Sequence, residues 1–173
     1  ERQTITDGIV TSREAVVERM MALAREAKGQ GAGLIVYPEL ALTTFFPRWV
    51  PENESDVTRW FETDMPNDAT RPLFEYARAH HLALSFGYGE MTPEGRRLNT
   101  SILTDTDANI VGKYRKIHLP GHAEYDPERT HQHLEKFYFE PGNLGFPVWR
   151  TMGGIFGMCI CNGRRWPETY REM

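Results

Sequence analysis

The sequence predicts a layered α/β or α+β sheet, and three features of its patterning carry that expectation. An amphipathic segment with helical spacing precedes a short continuous apolar run. A second helical segment precedes consecutive strand-like runs. Clusters of Gly, Pro, Asn and Asp punctuate the boundaries. Helix–strand alternation followed by consecutive strands is the signature of helices layered on a sheet.

The elements follow in order. Thr11 and Glu14 have the spacing of a capping box, and Val16, Val17, Met20, Met21, Leu23, Ala24 and Ala27 recur at helical period behind them. Gly29 and Gly31 stop this helix. Leu34-Ile35-Val36-Tyr37 is the kind of run expected of a strand buried on both faces. Residues 42–68 read as loop, rich in aromatics (Phe45, Phe46, Trp49, Trp60, Phe61). A second helix is predicted over 72–80, with Pro72 in its first turn. Strands are predicted over 82–88, 99–103 and 110–114, the last entered through a turn at 105–109. Residues 118–145 have no period and carry Pro120, Gly121, Pro127, Pro141 and Gly142. So long a loop is functional or disordered, and Tyr125, Phe137, Tyr138 and Phe139 favour a packed, functional one. A last buried strand is expected over 155–160, and Pro167 is placed to open a helix. The opening helix has no strand before it and only a stub of helix follows Cys161, so a larger domain is expected.

Composition narrows the functional classes. The 173 residues are 40% hydrophobic and 25% charged, enough apolar material for a core. A net charge of −4 gives a nucleic-acid partner no electrostatic support. No apolar run approaches the roughly 18 residues of a membrane helix, and Glu1-Arg2-Gln3-Thr4 is no apolar signal segment. Cys159 and Cys161 would lie about 6.5–7 Å apart in a strand, at the edge of disulfide reach. That spacing suits a reducing, cytoplasmic setting. No residues have zinc-ligand spacing, so no metal or other cofactor is expected.

Three residues close strand-like runs and bear reactive groups. Cys161 stands beside Arg164, Arg165 and a helix start, surroundings expected to lower its thiol pKa and make it a nucleophile. Cys159 fits an inert buried cysteine. Glu39 ends the run Ile35-Val36-Tyr37-Pro38, at the strand end where α/β folds place their sites, and is a candidate general base. Lys116, in Lys113-Tyr114-Arg115-Lys116, can stabilise an oxyanion.

Tyr37-Pro38-Glu39, Lys113-Tyr114-Arg115-Lys116 and Cys161-Asn162 with Trp166-Pro167-Glu168 resemble the three signature segments of the nitrilase superfamily. Glu39 through Trp49, Lys116-Ile117-His118-Leu119-Pro120-Gly121-His122 and His133-Leu134-Glu135-Lys136 are most similar to N-carbamoyl-D-amino acid amidohydrolases. The resemblance implies a four-layer αββα sandwich. Residues 1–173 would be a single partial carbon–nitrogen hydrolase domain, an N-terminal portion without the first strand and the C-terminal half. It implies Glu39 as base, Lys116 as oxyanion stabiliser, Cys161 as nucleophile and Glu135 as the glutamate that positions Lys116. His118 and His133 would line the substrate pocket, and Asn162 would lend its backbone N–H to the oxyanion. Arg164 or Arg165 would grip an amino-acid carboxylate. The implied partner is a small N-carbamoyl amino acid, with no nucleic acid and no membrane, and the full-length protein would be a homo-oligomer, dimer or tetramer. The rival readings are an amidase for β-ureido acids or simple amides and a catalytically inactive binding or assembly fragment. One position departs from the pattern: Gly163 stands where the family has an acidic residue, which is expected to loosen Arg164, Arg165 or the turn that aims the thiol.

Overall fold

The computed structural model describes residues 12–50 and 53–173. In chain order its elements are α1 (Arg13–Gly29), β1 (Leu34–Val36), α2 (Glu54–Thr58), β2 (Phe61–Glu62), α3 (Arg71–Ala79), β3 (Ala83–Met91), β4 (Arg97–Thr104), β5 (Ile110–Arg115), α4 (Glu135–Tyr138), β6 (Val148–Thr151), β7 (Gly154–Gly157) and α5 (Pro167–Glu172). Thr11 of the expected capping box lies outside the described residues. Ser12 caps α1 instead, its hydroxyl accepting the Ala15 N–H at 3.2 Å. Among the described residues no helix is long and apolar enough to cross a membrane.

The main sheet runs β1-β3-β4-β5, with β1 and β3 parallel and the other two pairs antiparallel. Both β1 and β2 pair with the same edge of β3: β1 takes Ala83, Leu84 and Ser85, and β2 takes Gly89 and Glu90. Between them Phe86, Gly87 and Tyr88 are left unpaired on that side, and this gap receives the segment that carries Glu39.

Side chains alternate across a strand, so the register assigns each position to a face. Leu84, Phe86, Tyr88 and Ile102 share one face and pack against Val17, Met20 and Ala24 of α1 and Leu73, Phe74 and Ala77 of α3. Ser85, Gly87, Gly89, Asn99 and Ser101 share the other face. Small residues there let irregular chain lie directly on the sheet. A second core forms around Phe46, whose ring contacts Trp60, Phe61, Tyr138 and Phe139 at centroid distances of 5.0–5.7 Å. It joins the aromatic stretch after β1 to the stretch around α4, so the two long loops of the sequence are packed against each other.

Two expectations need correcting. β1 is not buried on both faces: it is an edge of the sheet and Val36 is 69% exposed. The strand expected over 155–160 is shorter and exposed. It is β7, paired with β6 in a separate hairpin, with Ile155 60% exposed. An apolar run alone does not reveal that only alternate residues face protein. Here Trp149 packs over Gly112 of β5 while Val148 faces outward.

On the helix-covered face, Glu90 ties three strands together. It is 6% exposed and accepts hydrogen bonds from Thr100 Oγ1 at 2.7 Å, Lys113 Nζ at 2.9 Å and, through both its oxygens, Arg115 Nε and Nη2 at 2.9 and 2.8 Å. Burial pushes its carboxyl upward, but the donors from Arg115, Thr100 and Lys113 outweigh it and bring it down from 4.5 to about 2. A depressed carboxylate stabilises the fold above its unfolded pKa and loses that contribution as the pH falls through the folded value. Stability should therefore fall between pH 4.5 and about 2 through this group. Glu90→Gln should flatten that part of the curve in urea unfolding of the intact protein. An unchanged acid slope would show that the clamp contributes nothing.

Candidate active site

The chain leaving β1 stays on the edge of β3. Tyr37 N–H donates to Ser85 O at 2.8 Å, Gly87 N–H to Pro38 O at 3.3 Å and Ala41 N–H to Gly87 O at 2.7 Å. A Cβ at Gly87 would stand 2.9 Å from Leu40 N and 3.0 Å from Glu39 Cα, so glycine alone permits this approach. Leu40, 1% exposed, adopts a left-handed φ of 51° and turns the chain there. Glu39 thus projects from a backbone fixed against the small-residue face.

Lys116 extends β5 by one residue, its N–H donating to Asn99 O at 2.8 Å. By alternation its side chain lies on the face opposite Arg115 and is fully buried. Its Nζ is 2.6 Å from Glu39 Oε1 and 2.6 Å from Glu135 Oε2. Glu135, also fully buried, opens α4, and its other oxygen lies 2.9 Å from His133 Nε2. The Phe46 core places this segment: Leu134 N–H donates to Pro47 O at 2.7 Å and Tyr138 Oη to Trp49 O at 2.6 Å. His133 is set by a close loop crossing, since a Cβ at Gly121 would lie 2.1 Å from His133 O.

Cys161 begins a 3₁₀ turn, Cys161–Arg165, after Met158 has set its sulfur against the Ser85 and Ser101 hydroxyls at 3.7 and 3.8 Å. Its φ of 43° is left-handed, a strained conformation for a side chain with a Cβ and one found at functional sites. The thiol pKa is raised, which reverses the expectation. Although Cys161 as a residue is exposed, partial desolvation of its thiol is the main cause; Glu39 raises it further through its charge and a hydrogen bond, Glu135 adds to this, and Lys116 opposes it. Arg164 and Arg165 are exposed to solvent, which screens their charge from the thiol. Arg164 Nη1 instead donates to Cys161 O at 3.1 Å.

The turn itself is well fixed despite Gly163. Gly163 N–H donates to Ile160 O at 2.9 Å, and Gly163 O accepts from Trp166 N–H at 3.2 Å and Thr169 Oγ1 at 3.0 Å. The residue is not in the left-handed region, and a Cβ would meet Cys159 Cβ at 3.6 Å and Tyr114 Oη at 3.8 Å, ordinary contacts. A larger residue therefore fits, directed toward Cys159 and Tyr114.

Glu39, Lys116, Glu135 and Cys161 thus come together, with His133 behind Glu135. The His118 ring stacks on Trp166 at 4.9 Å and on Phe146 at 5.8 Å, and its buried Nδ1 has no partner among the described residues. Its carbonyl accepts from Asn162 Nδ2 at 3.3 Å. His118, Asn162, Lys136 and Phe139 line a pocket of about 400 Å³. Sequence reasoning missed Asn99, which is fully buried and donates from Nδ2 to Glu39 Oε1 at 2.7 Å. It lay within a predicted strand, and nothing in the sequence around it marked it as more than a strand residue.

The chemistry available is a thiol beside a carboxylate and a buried ammonium with two of its three N–H groups committed. A nucleophile, a base and a donor for a developing oxyanion are the parts of acyl transfer. The carbon-nitrogen hydrolase model matches residues 3–173, and the chain belongs to that family. It is 29% identical over 176 residues to N-carbamoylputrescine amidase of Arabidopsis thaliana, covering 95% of this chain and 50% of that protein. A carbon-nitrogen hydrolase from Helicobacter pylori G27 superposes with a TM-score of 0.75 at 27% identity, covering 95% of this chain and 52% of that one. A mutant of the amidase from Nesterenkonia sp. AN1 superposes with a TM-score of 0.69 at 26% identity, covering 93% and 54%. That mutant carries the acetamide moiety of fluoroacetamide covalently on its active-site cysteine. The chain spans about half the length of these proteins and shares their nitrilase-type α/β fold.

Because Glu39 raises the thiol pKa, Glu39→Gln should make Cys161 more acidic. The pH midpoint for iodoacetamide labelling of Cys161 should fall. A midpoint that rises would mean that Glu39 does not face the thiol.

Proposed function

We propose that the protein hydrolyses the carbamoyl C–N bond of N-carbamoyl amino acids, of the D series, with Cys161 as nucleophile. The observation that carries the reading is the buried Lys116 between Glu39 and Glu135, with the Cys161 thiol against Glu39. A thiol whose pKa is raised is not a ready thiolate at neutral pH, so Glu39 takes its proton as sulfur attacks the carbamoyl carbon. The free N–H of Lys116 and the Asn162 backbone N–H receive the oxyanion. The C–NH₂ bond then breaks, and ammonia leaves with the proton from Glu39. Water, activated by Glu39, splits the resulting S-carbonyl intermediate. The thiol is regenerated, and the released carbamic acid falls apart to amino acid and carbon dioxide.

Substrate choice rests on the resemblance in the segments around Glu39, Lys116, His133 and Cys161, and on the exposed Arg164 and Arg165 beside the nucleophile. In this reading one or both arginines bind the substrate carboxylate. His118 and His133 act from behind, through the Asn162 contact and through Glu135. The same reading makes residues 1–173 part of one carbon–nitrogen hydrolase domain that works without a metal, as a cytoplasmic homo-oligomer.

The test is steady-state kinetics of the intact protein on N-carbamoyl-D- and L-amino acids, β-ureidopropionate, N-carbamoylputrescine and simple amides. The highest kcat/KM is expected with an N-carbamoyl-D-amino acid. Cys161→Ala should abolish turnover and Cys159→Ala should leave most of it. Preference for the cationic N-carbamoylputrescine would overturn the carboxylate reading, and equal loss from the two cysteine changes would overturn the choice of nucleophile.

A further inference from the structure

We propose that Asn99 is a positioning residue for the base: it fixes the Glu39 carboxylate so that one oxygen is committed to hydrogen bonds and the other is held for the thiol proton. The inference rests on the acyl-transfer reading above and assigns a residue that the sequence motifs do not contain.

Two donors converge on Glu39 Oε1, Asn99 Nδ2 at 2.7 Å and Lys116 Nζ at 2.6 Å. Together they fill the acceptor capacity of that oxygen in the plane of the carboxylate and prevent rotation about the last side-chain bond. Oε2 is left as the atom that can reach a proton. Lys116 alone could not achieve this, because one contact leaves the carboxylate free to pivot around it.

The amide orientation follows from the chemistry. Turning it over would set Oδ1 against a carboxylate oxygen, so Nδ2 must face Glu39. Oδ1 is then buried without a partner among the described residues. A buried acceptor left unpaired is costly, a cost met at sites with a job to do rather than in ordinary strand packing. Asn99 is itself immobile: it is fully buried, pairs with Gly89 across the strands and accepts the Lys116 N–H on its backbone oxygen at 2.8 Å. One residue therefore sets both partners, Lys116 through its main chain and Glu39 through its side chain. A Ser or Thr at this position would be too short to span the gap, and an aliphatic residue would offer no donor.

The experiment uses Asn99→Leu in the intact protein, similar in volume and without the donor. Expected is a kcat lower by about 10–100-fold, a share of the 10²–10⁴ that a general base supplies, with KM within about threefold. The pH midpoint for iodoacetamide labelling of Cys161 should also fall, because a carboxylate that has turned away no longer raises the thiol pKa. A kcat within twofold of the unsubstituted protein would overturn the proposal. So would a kcat loss with an unmoved labelling midpoint, which is what a merely structural residue would give. Should the leucine variant fail to fold, Asn99→Asp keeps size and shape. Protonated, the new carboxyl can donate to Glu39 as the amide does; ionised, it repels it. A new alkaline limb in kcat/KM is then expected, and its absence would count against the proposal. Labelling does not depend on which substrate is turned over. Should simple amides prove the true substrates, the kcat comparison moves to them and only the substrate reading fails.

Discussion

Two carboxylates, Glu39 and Glu135, close on the Lys116 ammonium at 2.6 Å each, and that ammonium has no contact with solvent. An isolated charge at such a depth is very costly, and removing one partner from a buried ion pair costs about 3–5 kcal/mol. The arrangement is therefore a constraint on the whole fold. Chain leaving β1, chain leaving β5 and the start of α4 must meet at one point, although they are far apart in sequence. The gap between β1 and β2 on the edge of β3, the glycine at 87 and the Phe46 aromatic core are the means by which they do.

The electrostatics of the site follow from the same cluster. Desolvation makes the Cys161 thiol harder to ionise than a free cysteine, and the two glutamates around one lysine add to this through an excess of negative charge. A cysteine activated by neighbouring cations would be a standing thiolate, reactive toward any electrophile. In the proposed reaction, deprotonation waits for the Glu39 carboxylate beside the thiol, and attack and proton transfer become one event. The left-handed backbone at Cys161 and the hydrogen-bonded turn through Gly163 keep the sulfur at that position.

Much of this was legible in the sequence, for identifiable reasons. Helices α1 and α3 and strands β3, β4 and β5 obey simple periodicities, and Glu39, Lys116 and Cys161 stand where strand-like runs end. What was not legible depends on which side of an element meets protein. The run at 155–160 is apolar yet Ile155 is exposed, because the hairpin lays Trp149 over Gly112 of β5 and turns Ile155 outward. Arg164 and Arg165 lie next to Cys161 in sequence but turn to solvent, so they do not acidify it. Asn99 looks like any strand residue until the register sets it on the face of Lys116, opposite Thr100 and Glu90. The resemblance groups His118 with His133, and the stacking of His118 on Trp166 and Phe146 depends on side-chain packing that the sequence does not spell out.

The central claim is that the carbamoyl carbon is transferred to sulfur at Cys161. Rapid acid quench of the intact protein during turnover of its best N-carbamoyl substrate, followed by peptide mass analysis, tests it most directly. The peptide containing Cys161 should carry the mass of the substrate less ammonia, in amounts that decay once substrate is exhausted. Steady turnover with Cys161 unmodified at every quench time, or the same mass on Cys159 instead, would contradict it.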